Sequence, residues 1–523
     1  MLAMNTPVQW IPGEPYRLAG SRLAFTNWFY VRLCAFGWVD DQGQNVMVAG
    51  GQAADEAHFV RSEGPYGIRF KVHSAERSQP LLAVERPWEA GGVQLGTILQ
   101  EGGRYRAWGQ TGWGDLIQRG KPYFAYYESA DGLHWERPDC GIFAIDGDSA
   151  NNVLGRGGGT VFIDPSAPPA ERYKWISEHH FTQAEFEAYQ AQFPGEVDLR
   201  SVLTHANLYL GVKGATSPDG LHWTVLPLPL ALVPSDTQIV AYFDPILQRY
   251  VGYFREYMVG VQGGPAPVHQ TGRWNSYGRR SIGRAETTDF RHFPQTAPIL
   301  VPHPGLRPSQ TFYTNCRTTI PGAPDEHLMF PAVWDHATDT TEIHFASSHD
   351  GRAWSFVSAE PVFDTAAFGQ WDGGCVFASP NLIELPNGDF ALVYTGYNVP
   401  HKYPRQQAVR SSAYAVWPKG RLVGLEALER GAFSTLAVAA PGRRLRANAL
   451  TRRAGHIQVE AARLSGETIP GREFENSIPL MGDCRAAPVV WKEHDDLGVA
   501  VGEAVVLRFR MEAAVLYYLD FEP

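Results

Sequence analysis

The chain has 523 residues, 44% hydrophobic and 19% charged, proportions that suit ordinary packed cores and exclude a disordered or low-complexity chain. A formal net charge of −10 argues against the clustered positive surface that nucleic acid requires. Five cysteines without a Cys-x-x-Cys pair supply no zinc signature and no disulfide framework, and the sequence contains no apolar run long enough to span a bilayer.

Aromatic, glycine and proline residues are abundant, which favours strands and tight turns over helices. The opening MLAMNTPVQWIPGEPYRLAG lacks a basic segment followed by an apolar run, so a reduced, cytoplasmic protein is expected. Residues 1–80 read as N-terminal strands able to close a ring formed by the later residues.

From residue 81 a unit recurs: a glycine-rich or β-branched strand, a turn, and an aromatic strand. GGVQLGTILQ returns as RYRAWGQ, GGGTVFI as RYKWISEHH, TQIVAYF as RYVGYFREY, TFYTNCRTTI as HLMFPAVW, and CVFASPNLIEL as FALVYTGY. A third strand follows in each, and in the first four it ends at related turns: SADGLHW, SPDGLHW, TTDFRHF and SSHDGRAW. The turn reads as the hairpin between the two outer strands of a unit, with its aromatic residue packed between neighbours. Four-stranded units in radial array are propeller blades. The expected fold is all-β: a five-bladed β-propeller over residues 81–419, interrupted by a helical insertion at 178–206, then a C-terminal β-sandwich over 420–523. The fifth unit lacks the Asp-Gly turn, as expected if an N-terminal strand completes it.

Blade topology sorts the carboxylates. Starts of first strands and ends of second strands share one rim of a propeller, while first-to-second turns and the Asp-Gly turns share the other. Asp164, Asp244, Asp131, Asp219, Asp289 and Asp350 fall on the turn rim and read as structural. On the first rim, PWE (Trp88, Glu89) and QWD (Trp371, Asp372) lead into two first strands, and Asp236 leads into a third. Second-strand ends add Arg255 and Glu256, His179 and His180, Trp334, Asp335 and His336, and Tyr397, Asn398 and His401. Tyr313, near the start of the fourth unit's first strand, joins the same candidate binding set. Indole faces stack on sugar rings, and paired carboxylates divide acid and base work, so this set points to carbohydrate. Arg255 and Glu256 are adjacent on a strand, where side chains alternate.

Five four-stranded units, rim carboxylates and a trailing β-region resemble the five-bladed propeller glycoside hydrolases, the invertase and arabinanase kind, over roughly residues 80–523. The resemblance lies in architecture and reaction class, since no motif of those enzymes matches residue by residue. It implies a glycosidase acting on a furanoside or short oligosaccharide, with Glu89, Asp236 and Asp372, and with them Glu256, as catalytic carboxylates. Two alternatives stay open. A glycoside phosphorylase would bind phosphate near Arg255, His401, Lys402 and Arg405, and a non-catalytic propeller would bind carbohydrate alone. No cofactor is expected; axial calcium is compatible with carboxylates at a propeller centre, although no dedicated loop for it is found. The expected partner is a carbohydrate substrate, with neither nucleic acid nor membrane, and self-association through the insertion is left open.

Overall fold

The computed structural model describes residues 13–42, 58–62, 64–113, 122–196, 209–258, 278–403 and 407–523. The structure is nearly all-β, with one α-helix among the described residues, α1 (Gln183–Gln192). No helix of the described residues is long and apolar enough to cross a membrane. The chain divides into two compact units, one formed by Met1–His73, Ile320–Glu326 and Arg421–Pro523, the other by Ser74–Thr319 and His327–Gly420.

The larger unit is built of four-stranded antiparallel sheets. Sheet I orders Val93–Glu101, Arg104–Thr111, Tyr123–Ser129 and Val153–Arg156 from one edge to the other. Sheet II orders Thr160–Ile163, Tyr173–Phe181, Tyr209–Ser217 and Thr224–Val225, and sheet III Val240–Asp244, Arg249–Met258, Arg279–Thr287 and Ala297–Leu300. The fourth repeat forms two short sheets in succession along the same strands, here called IVa and IVb. IVa holds Gln310–Thr314, Ala332–Asp335, Thr340–Ile343 and Phe363–Asp364; IVb holds Arg317–Ile320, Ala323–Met329, Ala346–Ser348 and Ser355–Phe356, of which Ile320–Glu326 is counted with the other unit. Pro331, which lacks a donor, and Cys316, at φ +44°, interrupt the ladder between them, and Phe330 N–H to Cys316 O and His344 N–H to Pro331 O bridge the gap. Sheet V comprises Cys375–Glu384, Phe390–Tyr397 and Arg410–Trp417, with Glu76–Arg77 as its outer strand, pairing Arg77 with Ala415 and Glu76 with Val416.

Buried hydroxyls join each sheet to the next. Thr97 Oγ1 accepts from Val161 N (3.0 Å), linking I to II, and Thr160 donates to Ile239 O, linking II to the lead-in of III. Thr311 donates to Arg280 O (3.1 Å), linking III to IVa. Thr341 both donates to Val376 O (2.6 Å) and accepts from its N–H (2.7 Å), linking IVa to V, and Ser412 accepts from Leu95 N (2.8 Å), linking V back to I. Apolar cores fill the spaces between neighbours: Trp135, Tyr105, Leu385 and Tyr414 between I and V; Trp108, Tyr126 and Tyr173 between I and II. Phe162, Phe254 and Phe293 pack between II and III, and Tyr253, Phe312 and Met329 pack between III and the fourth repeat.

The Asp-Gly turns repeat in detail. Ser129 Oγ accepts from Gly132 N–H (2.8 Å) while Asp131 Oδ1 accepts from Leu133 and His134 N–H (both 2.8 Å). Ser217 with Asp219 and Ser348 with Asp350 make the same bonds. The amide and imidazole of His134 hold the Asp131 carboxyl well below the usual range.

The other unit is an eight-stranded sheet in which Ala504–Glu522 pairs with Arg444–Ala462 and Val423–Ser434. Its core gathers Leu23, Phe25, Leu425, Phe433, Phe509 and Leu516.

Candidate functional site

The first strands of sheets I, II, IVa and V and the residues beside them, with the segment leading into III, line one cavity of about 610 Å³. Gln94 and Gly96 come from sheet I, Gly159 and Thr160 from II, Asp236 to Ile239 from the lead-in to III, Tyr313 from IVa, and Phe377 to Pro380 from V. Second strands carry Gln110 and Trp113, Ser177 to His180, and Tyr397 to its rim, and His401 and Arg410 follow.

The lead-in to sheet III is pinned across the cavity. Thr237 donates to Tyr313 O (3.1 Å) and Gln238 Nε2 to Ala378 O (2.8 Å), while Gln238 Oε1 accepts from Cys316 N–H (2.6 Å). One glutamine therefore ties the fourth repeat to sheet V, and it fixes Asp236 beside it. Asp236 is 45% exposed and forms an ion pair with the Arg255 guanidinium. Arg255 itself is buried, 5.4 Å from the Tyr313 ring centroid. Burial, then the neighbouring Arg280 charge, pulls its pKa below the ordinary guanidinium value.

Strand alternation separates Arg255 from Glu256. Glu256 is buried on the other side, where Oε2 accepts from the Thr296 hydroxyl and Oε1 from Tyr257 N–H (2.9 Å), and it does not line the cavity. Glu89 and Asp372 are likewise absent from the cavity wall. Glu89 is 0% exposed: Oε2 accepts from the amides of Glu85 (2.9 Å) and Arg86 (3.2 Å), and Oε1 lies 2.6 Å from Arg137 Nε. Asp372 Oδ2 accepts from Tyr394 Oη (3.0 Å) and Arg77 Nη1 (3.2 Å). Trp88 donates to Asn152 Oδ1 (3.3 Å) and packs on the core between sheets I and V, and Trp371 stacks on Tyr394 with centroids 5.8 Å apart.

The reason is local. PWE forms a single 3-10 turn, and Gly91 and Gly92, at φ +84° and +107°, reverse the chain before Val93 begins its strand. Rim position therefore does not fix side-chain direction there. Gly373 and Gly374 follow Asp372, where a Cβ at Gly374 would sit 2.0 Å from the Val399 backbone.

His179 and His180 line the cavity, with Lys213 Nζ 3.5 Å from His179 Nε2. Tyr313 and His401 also line it, as an edge-to-face pair with centroids 4.6 Å apart. Trp334 stands behind this pair, buried, its indole N–H on Asp339 Oδ1 (2.9 Å) and its ring stacked on His336. Asp335 is a turn former: Oδ1 accepts from Ala337 N–H (2.9 Å), Arg307 lies 3.0 Å away, and the residue does not reach the cavity. Arg405, and residues 197–206 of the expected insertion, lie outside the described residues. The described part of that insertion carries α1, which opens with a Thr182–Glu185 capping box and packs Phe186 and Tyr189 with Phe181 and Leu232.

The cavity also holds residues to which sequence reading gave no role: Glu178, Trp113, Gln94, Gln110 and Arg410. Glu178 precedes His179 in the same SEHH, and Trp113 follows the end of a second strand, so the rim argument reaches both. The residues that line it thus include Asp236, Glu178, His179, His180, His401 and Arg410, beside Trp113, Tyr313, Phe377 and Tyr397. Among the described residues no group of three or more His, Cys, Asp or Glu side chains is placed to hold a metal ion.

No protein-family model matches the sequence, and no curated protein matches it. Solved structures similar to it include a glycoside hydrolase at 12% identity and TM-score 0.40, covering 66% of this chain and 92% of that one. A glycosyl hydrolase from Bacteroides ovatus gives 12% and 0.40, over 67% and 95% of the two chains. An α-L-arabinofuranosidase from Podospora anserina gives 11% and 0.38, over 66% and 96%. At scores of this size the residues of the cavity carry the functional conclusion.

Proposed function

We propose that the chain is a carbohydrate-active enzyme that cleaves a glycosidic bond in this cavity, at the axis of a five-bladed propeller. The blades are sheets I, II and III, the fourth repeat with its two halves taken as one blade, and sheet V. The cyclic order of hydroxyl ties supports that count, and the eight-stranded sheet of the other unit is read as the trailing β-sandwich. The observation that carries the functional reading is the convergence of all five repeats on one cavity that combines aromatic rings with two carboxylates, Asp236 and Glu178. Rings offer stacking faces to a sugar, and a pair of carboxylates supplies the acid and base of glycoside hydrolysis. The ion pair with Arg255 suits Asp236 to the charged role of base or nucleophile, which leaves Glu178 as proton donor.

The test is a screen of nitrophenyl furanosides and pyranosides against the wild type, Asp236→Asn and Glu178→Gln. Turnover by the wild type that falls about 10²-fold or more in each variant supports the reading. Hydrolysis retained in both variants overturns the residue roles, and no product from any glycoside overturns the enzyme. The withdrawal of Glu89, Asp372 and Glu256 favours, as a second reading, a propeller that binds carbohydrate without cleaving it. Sugar binding by a wild type that yields no product would select that reading.

A further inference from the structure

Between sheets I and V the cavity wall contains a guanidinium that no charged group among the described residues answers. Arg410 opens the third strand of sheet V and is 2% exposed. Its Nε is buried without a hydrogen-bond partner, and Nη1 makes one long contact, 3.4 Å to Ala408 O. The guanidinium carbon lies 4.0 Å from the centroid of the Trp113 ring and 4.7 Å from that of Tyr397, and all three residues line the cavity. In the same wall the indole N–H of Trp113 and Oε1 of Gln94 are also buried without partners. Arg255, also buried, differs in that Asp236 answers its charge.

A buried cation without a counter-charge is costly, and buried donors ordinarily find acceptors. The donors here form a directed set: a planar fork with an indole N–H beside it. A single guanidinium matches a single negative charge, and its fork matches a planar carboxylate. Gln94 Oε1 adds an acceptor for a hydroxyl, and the Trp113 and Tyr397 rings add apolar surface for a sugar ring. Resting on the carbohydrate reading of this cavity, we propose that Arg410 receives the carboxylate of a uronic-acid residue, so that the substrate is an acidic glycoside.

Calorimetric titration of the full chain tests this with methyl β-D-glucuronide and methyl α-D-galacturonide, each set against its neutral counterpart, methyl β-D-glucoside and methyl α-D-galactoside. One uronide is expected to bind about tenfold or more tightly than its neutral counterpart. Arg410→Gln should abolish that preference, and Arg410→Lys, which keeps the charge without the fork, should retain part of it. Equal affinity of the wild type for acid and neutral sugar overturns the proposal and leaves the carbohydrate reading standing. Failure of the wild type to bind any of the four, or any glycoside of the screen, overturns both. Inorganic phosphate bound in preference to either uronide overturns the carboxylate assignment. The wild-type comparison decides the matter even where an Arg410 variant does not fold.

Discussion

Trp108 in sheet I donates its indole N–H to the carbonyl of Gly220 in the Asp-Gly turn of sheet II, 2.7 Å away. Tyr253 of sheet III does the same to Gly351 (2.9 Å), and Tyr414 of sheet V to Gly132 of sheet I (2.7 Å). The repeated turn is thus a sheet-to-sheet fastener: its glycine lets the chain approach the neighbouring aromatic closely, and its carbonyl receives that neighbour's proton.

Gly220→Ala tests the fastener. The residue sits at φ +77°, and an added Cβ would lie 2.7 Å from the Trp108 ring, so conformational strain and crowding add to about 2–4 kcal/mol of destabilisation. Gly102→Ala, also at positive φ but with nothing within 4 Å, should cost about 1–2 kcal/mol. Urea unfolding of the two variants measures the difference.

The hydroxyl ties predict a graded pair. Thr97→Val leaves the buried Val161 amide without its acceptor and should cost about 1–3 kcal/mol. Thr341→Val strands both the amide and the carbonyl of Val376, and the expected loss is larger, about 2–4 kcal/mol. Thermal unfolding that ranks them in the opposite order would contradict the role assigned to Thr341.

Glu89→Gln separates architecture from chemistry. Removing its charge leaves the buried Arg137 poorly compensated, and about 3–5 kcal/mol of stability should be lost. Turnover by the folded fraction should persist, whereas Asp236→Asn, which also deprives the buried Arg255 of its counter-charge, should remove turnover even from the protein that stays folded. Loss of turnover in a well-folded Glu89→Gln protein would return Glu89 to the reacting centre.

In the smaller unit, burial, with the neighbouring Asp325 charge assisting and a Thr26 hydrogen bond opposing, pushes the Glu326 carboxyl up to about 8. The folded state then holds a proton that the unfolded chain releases near pH 4.5, so stability falls as pH rises from there towards 8 and levels beyond. The slope from this group is at most about 1.4 kcal/mol per pH unit. Glu326→Gln should flatten the decline across that window, as measured by unfolding at pH 5, 6.5 and 8.

Sequence reading reached the strand repeats because period-two alternation and the Ser-x-Asp-Gly turn are local signals, written into adjacent residues. It reached Asp236, Tyr313, His179, His180 and His401 because rim position follows from strand order alone. It did not foresee that Glu89 and Asp372 stay off the cavity wall, because carboxylate direction depends on Arg137, Arg77 and Tyr394, which are remote in sequence. Arg410 was invisible for a related reason: its meaning lies in the lack of a counter-charge among the described residues, which no stretch of sequence displays.

Glu76–Arg77 completes sheet V only by pairing with Ala415 and Val416, which lie beyond sheets I to IV in the chain. During synthesis this early strand must therefore wait, unpaired, while sheets I to IV emerge from the ribosome. A chain released before Arg410–Trp417 would expose an open strand edge, a template for sticking to its neighbours.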